Sequence, residues 1–213
     1  MIAPFVRLKT NPMIHFNEKQ ITPSKIVCIG KNYAAHIDEM GGLKPDDMTV
    51  FLKPNTALSS ELIADRGEAV HFETEICLLI EGGRVRGVGI GFDLTKRDTQ
   101  AKLKQQGLPW ERSKAFDGSA IFSQFVSAPH SLDDLSLTLH VDGELRQKGH
   151  VSMMLYPPLV ILEELSQFMS LRDGDVIMTG TPAGVGPLMS GADYTATLLN
   201  GDETLVAQTW RAL

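Results

Sequence analysis

In the stretch "HFETEICLLI" (His71 to Ile80) two carboxylates, Glu73 and Glu75, stand inside a segment that otherwise reads as buried β-strand. Strand side chains alternate faces, so Glu73 and Glu75 share one face with His71 and Cys77, while Phe72, Ile76, Leu78 and Ile80 fill the other. Past Glu75 both faces are apolar, the pattern of a strand covered on both sides, which puts the carboxylates at the edge of the interior. Two like charges there repel and lose hydration, so they need a cation, a proton or an exit to solvent. In isolation an E-x-E pair on a solvated sheet rim has the same pattern. Three further features favour chemistry: Asp93 closes a strand just before a polar helix, Arg97 and Asp98 open that helix, and "ERSKAFDGSA" places Lys114 in a polar loop.

Three carboxylates without a Cys/His cluster suit a hard cation, Mg²⁺, Mn²⁺ or Ca²⁺, which binds through oxygen and leaves positions for substrate oxygens. Mg²⁺ typically takes only one or two carboxylates, so Mn²⁺ and Ca²⁺ fit as well. His36 and Glu39 lie three apart on a short helix, can touch, and could form a dyad that removes a proton from water; a lone histidine on such a helix is otherwise structural. "TGTPAGVGP" (Thr179 to Pro187) has glycines that let backbone approach a ligand and two hydroxyls able to donate to a carboxylate, but no Gly-Lys-Ser/Thr of a phosphate-binding loop. His15, His71, His130, His140 and His150 show no zinc-ligand spacing, and His71 is at most a neighbour of the carboxylates.

The elements that must hold these groups are strand-rich. "SKIVCIG" reads as a first buried strand and "NYAAHIDEM" as a short helix stopped by Gly41 and Gly42. "TVFLKP" is a strand halted by Pro54, "AVHFETEICLLI" one long strand, and "GGRVRGVGIGFD" a turn feeding a strand that ends at Asp93. "LTKRDTQAKLKQQG" is a polar helix with Thr95 and Asp98 at capping-box spacing and Gly107 as its stop. Hairpins are expected at Asp142-Gly143 and Asn200-Gly201. "PPLVILEELSQFM", with Ile161, Leu162, Leu165, Phe168 and Met169 at helical spacing, is the strongest helix. The fold class is a β-dominated α+β domain.

A chain of 213 residues, 43% hydrophobic and 22% charged, is long enough for one sizeable core. Twenty basic against twenty-six acidic residues leave a net charge of −6 and no basic patch with interleaved aromatics, so nucleic acid is not an expected partner. Cys28 and Cys77 sit in apolar runs and read as reduced core residues. No apolar run approaches the roughly 18 residues of a membrane span, and "MIAPFVRLKTNP" lacks the charged start and apolar block of a signal peptide, so no membrane association and a cytoplasmic location are expected.

From about Ile26 to the C-terminus, the ordered blocks "IVCIGKNYAAHIDEM", "FLKPNTAL", "HFETE", "DLTKRDTQ", "KAFDGSA", "DGELRQ" and "LRDGDVIMTGTPAGVGPL" resemble the fumarylacetoacetate hydrolase family, particularly its short bacterial and acylpyruvase-like mitochondrial members. The resemblance implies one catalytic domain over residues 1–213 with an irregular N-terminal segment (1–23), a mixed β-roll of twisted sheets with a few short helices, and a homodimer. It implies that Glu73, Glu75 and Asp93 are metal ligands, with Mg²⁺ the first expectation, that Lys114 lies against a carbonyl or enolate oxygen, and that His36 and Glu39 activate water. It further implies that Thr181 binds a substrate carboxylate and that Arg97 and Gln100 support the metal or contact substrate. Many relatives carry a longer connection where this chain has "EGGRVRGV" (81–88), so a trimmed surface element is expected there.

The implied substrate is a small 2-oxo or 1,3-dicarbonyl acid. Acylpyruvate hydrolysis, cleaving a C–C bond through an enolate that the metal and Lys114 stabilise, is the first expectation, with oxaloacetate decarboxylation or keto–enol tautomerisation as the alternative at the same site. Water attack belongs to hydrolysis alone, so His36→Ala should abolish hydrolysis and could spare decarboxylation. A catalytically inactive relative that binds a small dicarboxylate is the contrasting reading.

Overall fold

A computed structural model describes residues 13–41 and 43–213. The segment 1–12 and Gly42, on which the readings of the chain's start and of one helix stop rested, lie outside the described residues.

In chain order, β1 (Ile14–Phe16) and β2 (Lys19–Ile21) make a small hairpin, β3 (Lys25–Gly30) leads to α1 (Ala34–Glu39), and β4 (Thr49–Pro54) follows. Next come β5 (Val70–Phe72), β6 (Thr74–Glu81), β7 (Arg84–Asp93), β8 (Thr95–Lys96), α2 (Arg97–Gln105) and α3 (Glu111–Lys114). The rest is β9 (Ala120–Phe122), β10 (Val126–Ser127), β11 (Leu135–Val141), β12 (Glu144–His150), α4 (Pro158–Ser166), β13 (Val176–Met178), β14 (Gly186–Pro187), β15 (Asp193–Asn200) and β16 (Glu203–Arg211).

A mixed seven-stranded sheet runs β10-β7-β6-β13-β3-β4, with β9 also on β7. Only β13 and β3 pair parallel within it; its other pairs are antiparallel. A four-stranded sheet, β12-β11-β15-β16, packs over one face, and β11 alternates buried and half-buried residues as a one-sided strand must. Between the two sheets lie Ile76, Leu78, Ile80, Val88, Ile90 and Phe92 against Leu135, Leu137, Leu139, Tyr194 and Leu198. The other face of the large sheet carries a second core of Ile26, Cys28, Cys77, Leu79, Val176 and Met178, covered by Ile14, Phe16 and Phe125. The apolar run after Glu75 is therefore covered on both sides, as its composition predicts, and both cysteines are buried free thiols. The result is the β-dominated α+β roll expected. No helix among the described residues is long and apolar enough to cross a membrane.

Several expectations need correction. Residues 14–21 form a hairpin instead of an irregular lead-in. "AVHFETEICLLI" is not one strand: it breaks at Glu73, β5 pairing with β8 and β14 in a separate three-stranded sheet while β6 enters the large one. Thr95 does not cap α2, because its hydroxyl bonds the Asp93 carbonyl and receives Lys114 Nζ. Glu68 serves the helix instead, accepting from the Thr99 amide at 3.0 Å and from the Thr99 hydroxyl. The second hairpin turns one residue later than expected: Asn200 pairs with Glu203, leaving Gly201, at φ +58°, and Asp202 as the turn. α4 ends at Ser166, so Phe168 falls past it and is exposed. In the 81–88 connection, Glu81 pairs with Arg84 around Gly82 and Gly83, both at positive φ, a two-residue primed turn.

Candidate active site

β5 passes into β6 at Glu73, and β7 passes into β8 at Asp93, so the two chain segments leave the large sheet side by side. The Asp93 amide donates to the Glu73 carbonyl at 2.8 Å across this crossing. That brings Glu73, Glu75 and Asp93 together with a ligand atom from each within 4.8 Å of the others, all three buried. They are the trio read from the sequence.

Their partners differ, and this decides the electrostatics. Lys114, at the end of α3, places Nζ 2.7 Å from Glu73 Oε2, 2.7 Å from Asp93 Oδ2 and 2.7 Å from Thr95 Oγ1. Arg97 Nη2 lies 2.5 Å from Glu73 Oε1, while its Nη1 donates to Gln100 Oε1 at 2.8 Å. Burial alone would raise the Glu73 carboxyl, but Lys114 and Arg97 outweigh it and hold it well below the usual carboxylate range. Burial likewise works against the Lys114 ammonium, yet Asp93 and Glu73 keep it above its ordinary value. Glu75 has no cation partner among the described residues. It accepts one bond, from the Gly180 amide at 2.7 Å, and burial, then Asp93 and Glu73, push its carboxyl well above the ordinary range. Without a cation the trio therefore favours a proton on Glu75; an all-oxygen donor set with one unneutralised member fits a hard divalent ion in that proton's place.

Beside the trio lies a cavity of about 270 Å³, lined by Glu73 and Lys114 together with His36, Arg97, Gln100 and Trp110 among others. His36 is buried, with Nδ1 3.2 Å from Glu39 Oε2. Glu39 is fixed in turn by the Gly184 amide, 3.0 Å from Oε1. The structure thus brings His36, Lys114, Arg97 and Gln100 to one cavity, with Glu39 behind His36. Asp98, also in the first turn of α2, is exposed. His71 lies on β5 and does not line the cavity.

Thr181 lies beside the trio strand and off the cavity lining. Its hydroxyl donates to the Thr74 carbonyl at 2.9 Å and accepts from Gln147 Nε2 at 2.8 Å. Thr179 similarly donates to the Ile76 carbonyl at 2.9 Å, so the glycine-rich loop is laced along β6. The backbone approach expected of its glycines is realised toward the protein's own Glu75. Gly180 sits at φ +101°, where an added Cβ would lie 2.7 Å from the Cβ of Asn32.

Residues without an assigned role in the sequence reading complete the site. Lys53 on β4 is fully buried, with Nζ 2.9 Å from Asp93 Oδ1 and a bond to the Lys114 carbonyl. The signal for it was a lysine inside an otherwise apolar strand. Asn32 ties the chain entering α1 to the glycine-rich loop, donating to the Thr179 carbonyl at 2.7 Å and the Tyr156 carbonyl at 2.9 Å. Gln147 holds Thr74 and Thr181 together.

Residues 25–209 match the family model described as fumarylacetoacetate (FAA) hydrolase C-terminal. The chain is 42% identical over 194 residues to an oxaloacetate tautomerase of Escherichia coli strain K12, the match covering 82% of this chain and 88% of that protein. It is 38% identical over 189 residues to a mitochondrial oxaloacetate tautomerase of Bos taurus, covering 80% and 85%. Among solved structures, fumarylpyruvate hydrolase from Pseudomonas aeruginosa in complex with Mn²⁺ and pyruvate superposes with a TM-score of 0.83 at 28% identity, covering 99% of each chain.

Proposed function

The chain belongs to the fumarylacetoacetate hydrolase family, and from that premise we propose that it catalyses the keto–enol tautomerisation of oxaloacetate. The observation that carries this reading is one small cavity lined by Glu73, Lys114 and His36, with Glu75 and Asp93 grouped beside Glu73 and Glu39 bonded to His36. Similarity to two proteins named oxaloacetate tautomerase supports this reaction over acylpyruvate hydrolysis, the reverse of the order expected from the sequence.

Glu73, Glu75 and Asp93 would hold a divalent cation, Mg²⁺ or Mn²⁺, whose chemistry when bound is to polarise the 2-oxo group of the substrate. Lys114, kept charged by Asp93 and Glu73, stabilises the negative charge that grows on the C2 oxygen as C3 loses a proton. A neutral His36 that donates Nδ1–H to Glu39 leaves Nε2 as an acceptor. Nε2 takes the C3 proton, the C–H electron pair becomes the C2=C3 bond, and the imidazolium returns the proton to the C2 oxygen. Arg97, clamped between Glu73 and Gln100, orients the substrate carboxylate from the cavity wall.

The same dyad suits delivery of water to a distal carbonyl, and the similarity to fumarylpyruvate hydrolase supports hydrolysis as the second reading. Proton NMR on oxaloacetate and acetylpyruvate in parallel, with Mn²⁺-loaded and then Mg²⁺-loaded protein and Glu73→Gln as the blank, separates the reactions. Accelerated enol–keto exchange of oxaloacetate without cleavage is the expected outcome. Acetate and pyruvate from acetylpyruvate would make the protein a hydrolase, and pyruvate from oxaloacetate alone a decarboxylase.

A further inference from the structure

We propose that Lys31 and Lys104 form a cationic subsite in the more open part of the cavity, which reads the second carboxylate of the substrate and selects dianionic 2-oxo acids over monoanionic ones. The inference rests on the oxaloacetate reading of the site and assigns its specificity to residues outside the carboxylate trio.

Both lysines line the same cavity as Glu73 and Lys114. Glu73 and Lys114 are buried, whereas Lys31 is half-buried and Lys104 exposed, so the lysine pair belongs to the more open part of the lining. The charge inventory is lopsided: Lys31, Arg97, Lys104 and Lys114 line the space against Glu73 alone. Arg97 and Lys114 are paired with Glu73 and Asp93 and serve the substrate at the trio end. Among the described residues, neither Lys31 nor Lys104 has an ion pair or a hydrogen bond, so the positive charge there awaits an anion. A 2-oxo monocarboxylate held at the trio would leave both lysines unmatched; a second carboxylate gives them an anion to pair with.

Two details show that the pair is positioned. The Lys104 ammonium lies 5.0 Å from the centre of the Trp110 ring, a contact that orients a cation without neutralising it. Lys31 sits at φ +57°, in the left-handed region that a long side chain seldom adopts, and the adjacent Asn32 is pinned by its bonds to Thr179 and Tyr156. Although Lys104 is exposed as a residue, desolvation of its ammonium beside the cavity wall and then Arg97 lower it, Glu73 opposing, with Lys31 among the further contributors, as expected of cations crowded on one space.

Calorimetric titration of Mn²⁺-loaded protein with pyruvate and with oxaloacetate, two acids that differ by one carboxylate, tests the subsite. Wild type should bind oxaloacetate at least about tenfold more tightly, the scale of a charge-assisted contact. Lys104→Gln and Lys31→Gln should each weaken oxaloacetate about five- to tenfold and pyruvate less than about twofold, with Lys104→Arg restoring wild-type affinity. Equal weakening of both acids, or no preference in wild type, would overturn the proposal. If the preference and its lysine dependence appear but wild type does not tautomerise oxaloacetate, the subsite stands and the reaction reading falls; tautomerisation without the preference gives the reverse.

Discussion

Replacing Lys53 by methionine should cost the metal-stripped protein about 3 kcal/mol of stability. Lys53 Nζ lies 2.9 Å from Asp93 Oδ1, and the side chains are 0% and 2% exposed. At that separation two unit charges attract by about 6 kcal/mol in an effective dielectric of about 20, much of which offsets the desolvation of the lysine. Removing one partner of a buried pair typically costs about 3–5 kcal/mol, because the other charge stays behind. Lys114 still neutralises part of Asp93 from 2.7 Å, which sets the figure at the lower end. Methionine fills nearly the same volume, so little arises from a cavity. For a chain of this size about 3 kcal/mol corresponds to a fall in Tm of roughly 6–12 °C. Thermal and urea denaturation of Lys53→Met, Asp93→Asn and the double variant would measure it. The double variant should recover about 2 kcal/mol relative to the sum of the singles. A fall under about 2 °C, or strict additivity, would refute the assignment of Asp93's charge to Lys53.

Glu75→Gln should change the pH dependence of the metal-stripped protein. The folded Glu75 carboxyl lies well above its unfolded value, so its favourable contribution is present below the unfolded range near about 4.3 and is lost as pH rises through the folded value. The variant should therefore lose less Tm than wild type between about pH 5 and pH 8, and should no longer be stabilised by Mn²⁺; identical slopes would contradict this. Asp175 behaves oppositely. Burial would raise its carboxyl, but Lys25, Ser24 and the Arg172 amide outweigh it, so its stabilisation is present above about pH 4 and lost as pH falls through its depressed folded value. Asp175→Asn should be about 2–4 kcal/mol less stable at pH 7, with a gap that narrows in acid, as urea titrations at two pH values would show. Gly184→Ala places a Cβ 1.9 Å from the Arg146 carbonyl oxygen at φ +100° and displaces the amide that holds Glu39. It should lose at least about 2 kcal/mol and depress oxaloacetate turnover about tenfold, and an unchanged turnover rate would detach Glu39 from the mechanism.

What the sequence made legible followed physical periodicity. The two-sided apolar run after Glu75, the strand ending at Asp93, the proline-led helix at Pro158 and the Asp142-Gly143 turn all carry local signals, and the structure has each of them. So did the trio, since two like charges in a buried strand need an explanation. The break at Glu73 had no local signal, because residues 70–81 remain strand-like throughout and only pairing with β8 and β13 divides them. The hairpin at residues 14–21 turns at Asn17, which adopts φ +51° without the Asn-Gly pair that announces such turns. Lys53 and Glu68 act on residues about 30 to 60 positions away, distances that reflect packing rather than pattern. The partners of Thr181 were not legible, because a hydroxyl in a glycine-rich loop looks free in sequence, whereas its hydrogen is given to Thr74.

We propose that this site interconverts the tautomers of oxaloacetate. The most direct test is the decay of enol-oxaloacetate ultraviolet absorbance on adding Mn²⁺-loaded wild type, compared with buffer containing Mn²⁺ and with Glu75→Gln. Decay well above the buffer rate with wild type, and a return to the buffer rate with Glu75→Gln, is the predicted result. Wild type indistinguishable from buffer, or Glu75→Gln as fast as wild type, would contradict the account.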